Sequence, residues 1–206
     1  MAFLDPYIDP STGILRNKVG ARTQVALDTA EGDLVYVRMV QLLAVPPEPT
    51  GDLSELCAIH RHLFQDVYDW AGEIRSVDIR KPVEEAVPFM PVSFVHRGGQ
   101  YAAEDLHDEE DLKGLGREQF ISRLAHHYEQ FNYVHPFREG NGRTQRFMFS
   151  RVAHDAGWHL RWQAVTGETN DRASRIATAQ GDLGPLEEMF EGIVERAILP
   201  GIDSDP

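Results

Sequence analysis

A histidine, a glutamate, two glycines and three arginines fall within the twelve positions of HPFREGNGRTQR, residues 135–146. These residue types handle protons, metal ions and phosphates. His135 can take a proton from an incoming hydroxyl. Gly140 and Gly142, flanking Asn141, lack a Cβ, so the loop can adopt left-handed backbone angles and turn its N–H groups inward. Such a nest, feeding the start of a helix, attracts anions because the free N–H groups and the helix dipole point the same way. Arg143 and Arg146 are three apart, so they share a helical face and can both reach phosphates above the helix start. Glu139 would be repelled by those phosphates unless a divalent cation bridged them. Phe137, set among polar neighbours, is expected to plug into the core and fix the loop. Taken singly, each residue is ordinary: a histidine before a proline, a Gly-Asn-Gly turn between helices. Together they supply a base, a metal ligand, an anion nest and two phosphate-binding arginines in a consistent order.

Two apolar helices are expected to hold this loop. Phe120, Ile121, Leu124, Tyr128 and Phe131 repeat at three and four residues within 117–131, and a second helix runs over about 143–156 with Gly157 as its stop. Upstream, helical periodicity runs from Ala26 to Leu43 and is ended by VPPEPTGD at 45–52. Asp52 or Ser54 can cap the next helix, whose apolar positions extend toward Trp70, Ala71 and Gly72. The stretch around Ile74, Val77 and Ile79, followed by KPVEEAVPFMPVSFV with prolines at 82, 88 and 91, reads as a short strand or hairpin with an exposed edge. The acidic run over 100–112 reads as a solvated helix face or loop. Two weaker helices are expected over 168–180 and 184–198. The fold class is therefore mainly α with one small β element. Residues 1–20, rich in Pro, Gly, Asp and Asn, read as an extended arm before a single domain over 21–198, and 199–206 as a tail.

Composition narrows the function further. The chain has 206 residues, 42% hydrophobic and 26% charged, the proportions of an ordinary soluble globular protein with one sizeable core. No apolar run approaches the roughly 20 residues needed to span a bilayer, so no membrane association is expected. The N-terminus does not read as a signal peptide, and the single cysteine, Cys57, fits a reducing cytoplasm. A net charge of −13, with no basic run, argues against direct nucleic-acid binding. A protein or small-molecule substrate is the better expectation.

HPFREGNGRTQR fills every specified position of the signature H-x-F-x-[DE]-G-N-G-R-x-x-R and so resembles the Fic family. WAGEIRSVDIRK (70–81) is similar to the segment leading into that family's flap hairpin, and NKVGARTQVALDTAEGD (17–33) and GDLGPL (181–186) resemble its flanking regions. The resemblance implies a Fic-type helical bundle with a small β-hairpin flap beside the active-site loop. It implies transfer of AMP from ATP to a Ser, Thr or Tyr hydroxyl of a target protein. In that reading His135 is the general base and Glu139 holds Mg²⁺. Gly140, Asn141 and Gly142 form the anion hole, and Arg143 and Arg146 meet the β- and γ-phosphates. The flap, here about 79–92, would clamp the target by strand addition, with Ile79, Lys81, Phe89 and Met90 as its docking residues.

Many members of that family are silenced by a helix carrying [ST]-x-x-x-E-[GN]. Glu31-Gly32 is preceded by Leu27 and Glu191-Gly192 by Glu187, so no segment matches. The resemblance then implies a separate small antitoxin supplying the inhibitory helix, and a bacterial housekeeping target, with type II topoisomerases as the family-level expectation. Three alternatives stand beside AMP transfer. One is a related transferase of phosphate, UMP or phosphocholine, disfavoured because Gly142 and Arg146 are both present. Another is a catalytically silent nucleotide-binding module, disfavoured by an intact His135 and Glu139. The third is a metal hydrolase built on His60, His62, His126 and His127, which lack zincin spacing and read as core or surface histidines.

Overall fold

The computed structural model describes residues 5–80 and 87–197. Seven α-helices occur among them: α1 (Gln24–Ala44), α2 (Leu53–Phe64), α3 (Val95–Asp108), α4 (Arg117–Val134), α5 (Asn141–Asp155), α6 (Gly167–Gln180) and α7 (Gly184–Glu191). Two short strands, β1 (Trp158–Leu160) and β2 (Val194–Arg196), pair antiparallel with Trp158 opposite Arg196.

α4 is the central element because one broad face of it is apolar. Phe120, Ile121, Leu124, Ala125, Tyr128, Phe131 and Val134 are all buried on it, facing α3, α5, α6 and α7. Fully burying one such aromatic side chain is worth roughly 1.5–3 kcal/mol. α5 presents Met148, Phe149 and Val152 to this core, and its ring of Phe149 meets Tyr128 and Phe131 edge-on. α2 adds Leu56, Ile59, Leu63 and Phe64. The α2–α5 contact is pinned by Arg151, whose guanidinium donates to the buried carboxylate of Glu55 at 2.6 and 3.1 Å. The described N-terminal residues lie against this body: Ile14 and Leu15 are buried, Ile8 bridges Leu15, and Tyr7 packs edge-on against Trp70 at 5.3 Å.

Several boundaries differ from the sequence expectation, each for a local reason. Asp52, not Ser54, caps α2, accepting from the N–H groups of Ser54 and Glu55. α2 ends at Phe64 rather than near Trp70. Beyond it Arg38 grips Asp66 with two bonds of 2.6 and 2.9 Å, and the Val67 carbonyl accepts from the Lys18 N–H. The acidic run, expected as a solvated helix face or loop, is helical as far as Asp108 in α3, where Ala102, Ala103 and Leu106 bury one face. The last helix stops at Glu191, and Val194, Glu195 and Arg196 form β2 instead. The paired strands thus lie at 158–160 and 194–196. In the proposed flap, residues 81–86, Lys81 among them, fall outside the described residues. Its described arms carry no strand, but the Phe89 N–H donates to the Ile79 carbonyl at 3.2 Å.

Candidate active site

Residues 135–140 form a tight loop from the end of α4 to the start of α5. His135 ends α4 in a left-handed conformation, φ 44° and ψ 62°, uncommon for a residue with a Cβ. Buried Arg75 secures it. Its Nε donates to the His135 carbonyl at 2.9 Å, its backbone N–H to the Pro136 carbonyl at 2.8 Å, and its guanidinium also reaches the carbonyls of Val77 and Met90. One buried cation therefore staples the motif loop to both arms of the 75–90 segment. Burial pulls its pKa down from the usual arginine value, opposed by the nearby Asp78 carboxylate, and three backbone carbonyls accept from the guanidinium.

The imidazole of His135 is oriented in turn. Its Nδ1 lies 3.1 Å from the Asn132 carbonyl, which can only accept, so the neutral ring carries its proton on Nδ1 and its lone pair on Nε2. The ring of Phe89 stacks on it at 3.5 Å between centroids, with the planes 10° apart. Phe89 is thus buried against the histidine. Met90 turns to the other side, where it packs against Gly98 and lines an apolar groove of about 610 Å³ with Phe94, Tyr101 and Tyr133. Ile79 is half-buried and touches this site through its bond to Phe89.

Phe137 is fully buried, as expected, and stacks on His60 at 4.0 Å. Asn141 spends its side chain inside the loop, accepting from the Phe137 N–H at 2.8 Å and donating to the Phe137 carbonyl at 2.7 Å. What it offers a ligand is its backbone N–H. The left-handed angle expected at both glycines occurs at Gly140 alone, φ +82°. Gly142 has ordinary helical geometry, and a Cβ there would meet open space. Among the described residues no side chain caps the start of α5, so its first N–H groups point toward the space a ligand would take.

Two further supports, like Arg75, were not legible in the motif. His60 is buried, accepts from the Gly72 N–H at Nδ1 (2.8 Å), and therefore donates from Nε2 to the Glu139 carbonyl (3.0 Å). Burial drives its pKa down to about 3, so it is a neutral structural peg. Glu31 of α1, nearly buried, accepts from the guanidinium of Arg143, and its other carboxylate oxygen accepts from the Tyr68 hydroxyl. Arg143 also lies over the Phe64 ring at 4.7 Å and 3.9 Å from Glu139. The inhibitory-helix pattern rejects Glu31 because Leu27 precedes it; the fold nonetheless brings it to the first motif arginine. Arg146 donates from Nε to the Gly142 carbonyl at 3.1 Å and lies over Trp162 at 5.9 Å. Glu139 is more exposed, with one carboxylate oxygen 2.9 Å from the Gly140 N–H. His135, Glu139, the helix start and both arginines therefore all lie on the 135–140 loop or the first two turns of the helix it feeds. The four histidines of the metal-hydrolase alternative do not converge on one point: among the described residues, His126 and His127 meet Asp105, and His60 lies in the core.

Residues 50–153 match the Fic/DOC family. Two curated relatives, from Salmonella typhimurium and Escherichia coli, are each 37% identical over 193 residues, covering 94% of this chain and 94% of the relative. Both carry the name "Probable protein adenylyltransferase Fic". Among solved structures, the N-terminal Fic domain of a VirB-translocated Bep effector from Bartonella quintana, with bound ADP, superposes with a TM-score of 0.84. It is 26% identical and covers 92% of this chain and 94% of that one. Signature, fold and near full-length similarity agree, and the chain belongs to the Fic/DOC family.

Proposed function

We propose that this protein is a protein adenylyltransferase that transfers AMP from ATP to a side-chain hydroxyl of another protein. The observation that carries the reading is the placement of these groups on one loop and the helix start it feeds. His135, with Nδ1 turned to the Asn132 carbonyl, would use Nε2 as the base, one loop away from a helix start with open space at Gly142. In the proposed reaction the target oxygen attacks the α-phosphorus of ATP as His135 Nε2 takes its proton. The new O–P bond forms while the α–β bridging bond breaks, and pyrophosphate leaves. The N–H groups of Asn141 and Gly142 would hold the charge growing on the α-phosphate. Arg143 and Arg146 would hold the departing phosphates. Glu139, a hard oxygen donor beside that space, fits Mg²⁺ bound jointly with nucleotide phosphates, and the ion would supply charge neutralisation there. Ile79, Lys81, Phe89 and Met90 are the proposed target-docking residues, with Phe89 also fixing the His135 ring.

The family name of the relatives favours AMP over phosphate, UMP or phosphocholine. Incubation with α-labelled or γ-labelled ATP, Mg²⁺ and a bacterial lysate tests it: label is expected to enter protein from the α position. Entry from the γ position alone would refute AMP transfer, and a His135→Ala variant as active as wild type would remove the assigned base. We further propose a cytoplasmic toxin role, with a separate antitoxin acting on the site and a type II topoisomerase subunit as target. Failure of the adjoining reading frame to relieve toxicity on coexpression would count against the antitoxin.

A further inference from the structure

Away from this loop, where α3 crosses α4, Asp105, His126 and His127 each bring one donor atom to within 4.8 Å of the others. His126 Nε2 is 3.0 Å from Asp105 Oδ2, and His127 Nδ1 is 3.7 Å from the same oxygen. Donors bound tetrahedrally at zinc distances lie roughly 3.3 Å apart, and the two separations bracket that spacing. His126 and His135 are nine positions apart, about 13 Å along the helix, so this cluster is distinct from the proposed catalytic histidine.

The surroundings are built as outer supports for metal ligands. His127 is fully buried, and its Nε2 lies 3.3 Å from Glu109 Oε2, with no well-directed hydrogen bond. Arg123 fixes that glutamate with two contacts. Gln130 donates to Asp105 Oδ2 at 2.8 Å, which turns its own carbonyl oxygen to 3.3 Å from His127 Nδ1. Both ring nitrogens of His127 therefore face oxygen acceptors, and a neutral imidazole has a proton for only one. With the proton on Nε2 toward Glu109, Nδ1 aims a lone pair into the Asp105 and His126 space. A carboxylate on the far nitrogen of a histidine is the usual support of a metal-bound imidazole.

We propose that Asp105, His126 and His127 bind one divalent transition-metal ion, zinc or a neighbour such as cobalt or nickel, that pins α3 to α4. Two imidazoles and one carboxylate suit these ions and not Mg²⁺ or Ca²⁺, which take oxygen donors. The half-exposed His126 and Asp105 give the ion a path from solvent, and water completes the coordination. α3 and α4 also form the walls of the groove beside Met90, so the ion would stiffen that groove.

The test is calorimetric titration of tag-free, chelator-stripped full-length protein with Zn²⁺ in the absence of nucleotide. One equivalent is expected to bind and to raise the melting temperature, and Co²⁺ should give the visible absorption of a tetrahedral site. His126→Ala and Asp105→Asn, both at half-exposed positions, should each weaken binding at least a hundredfold. Glu109→Gln should weaken it about tenfold or more, and Glu139→Gln should leave it intact. Absence of zinc binding to the folded wild type overturns the proposal. So does undiminished affinity in the Asp105→Asn, His126→Ala double variant, or an NMR spectrum showing His127 doubly protonated with zinc present.

Discussion

The two glycines of the motif do different work, and alanine at each should separate fold from ligand. At Gly140 an added Cβ would lie 2.4 Å from Phe64 Cζ and 2.5 Å from Cε2. That ring is fully buried between His60, stacked on it at 4.6 Å, and Tyr68 at 6.1 Å, so it has nowhere to go. Overpacking of this kind costs about 1–3 kcal/mol. The left-handed angle at φ +82° adds about 1–2 kcal/mol for a residue with a Cβ. The stiffer unfolded chain returns about 0.4–1 kcal/mol. Gly140→Ala should therefore lose about 2–4 kcal/mol, which for a chain of this size lowers the melting temperature by about 5–15 °C. Gly142→Ala meets nothing within 4 Å and has ordinary backbone angles, so its melting temperature should be unchanged or slightly raised. Its methyl group, however, enters the space assigned to phosphate. ATP or ADP affinity should fall about tenfold, or roughly 1.4 kcal/mol. Differential scanning fluorimetry and nucleotide titration read both effects. A Gly140→Ala protein that melts with wild type, or a Gly142→Ala protein that binds nucleotide normally, would refute the assignment.

Glu31→Gln removes a negative charge beside the nest while keeping an acceptor for the Tyr68 hydroxyl. Nucleotide affinity should rise several-fold and turnover fall as Arg143 loses its anchor, and identical binding and kinetics would contradict that. His60, with a pKa near 3 when folded and about 6.5 when unfolded, binds a proton only in the unfolded chain between those values. Its stabilisation is complete above about pH 6.5 and lost as pH falls, by about 2 kcal/mol from pH 7 to 5. A His60→Asn variant, compared with wild type by urea unfolding, should show a shallower dependence over that range. Glu129 has the opposite sign. Burial pushes its pKa up to about 7, so its stabilisation is present below about pH 4.5 and lost as pH rises through 7. Glu129→Gln should accordingly be more stable than wild type at pH 8, with the advantage shrinking toward pH 5.

Periodicity made α1, α4 and α5 legible because each carries large apolar residues at three- and four-residue spacing over several turns. α3 was hidden: its buried face consists largely of Gly99, Ala102 and Ala103, small residues that carry little hydropathic signal among acidic neighbours. β2 was read as helix because a three-residue strand is defined by its partner β1, which periodicity does not see. Within the motif, residue types pointed to base, nest and arginines. The supports come from 60 to 112 residues away in sequence: Arg75 to His135, His60 to Glu139, Glu31 to Arg143. Spacing along the chain has no access to such contacts.

Those supports also explain why the site has its particular electrostatics. Every group expected to meet phosphate is held by something that is not phosphate. Arg143 is held by Glu31 and Phe64, Arg146 by the Gly142 carbonyl and Trp162, and the loop backbone by His60 and Asn141. Preorganised donors need no rearrangement when charge develops, which is where most electrostatic rate enhancement originates. Yet a surface of net charge −13 repels ATP at long range. Local cations must overcome that field, and Glu31 cancels one of the two motif arginines directly. A site so arranged gains fixed geometry at the expense of affinity. A divalent cation arriving with the nucleotide offsets Glu139 and restores the attraction, so nucleotide affinity should depend more steeply on Mg²⁺ in wild type than in Glu139→Gln. An equal Mg²⁺ dependence of ATP binding in the two proteins would remove Glu139 from the metal's surroundings.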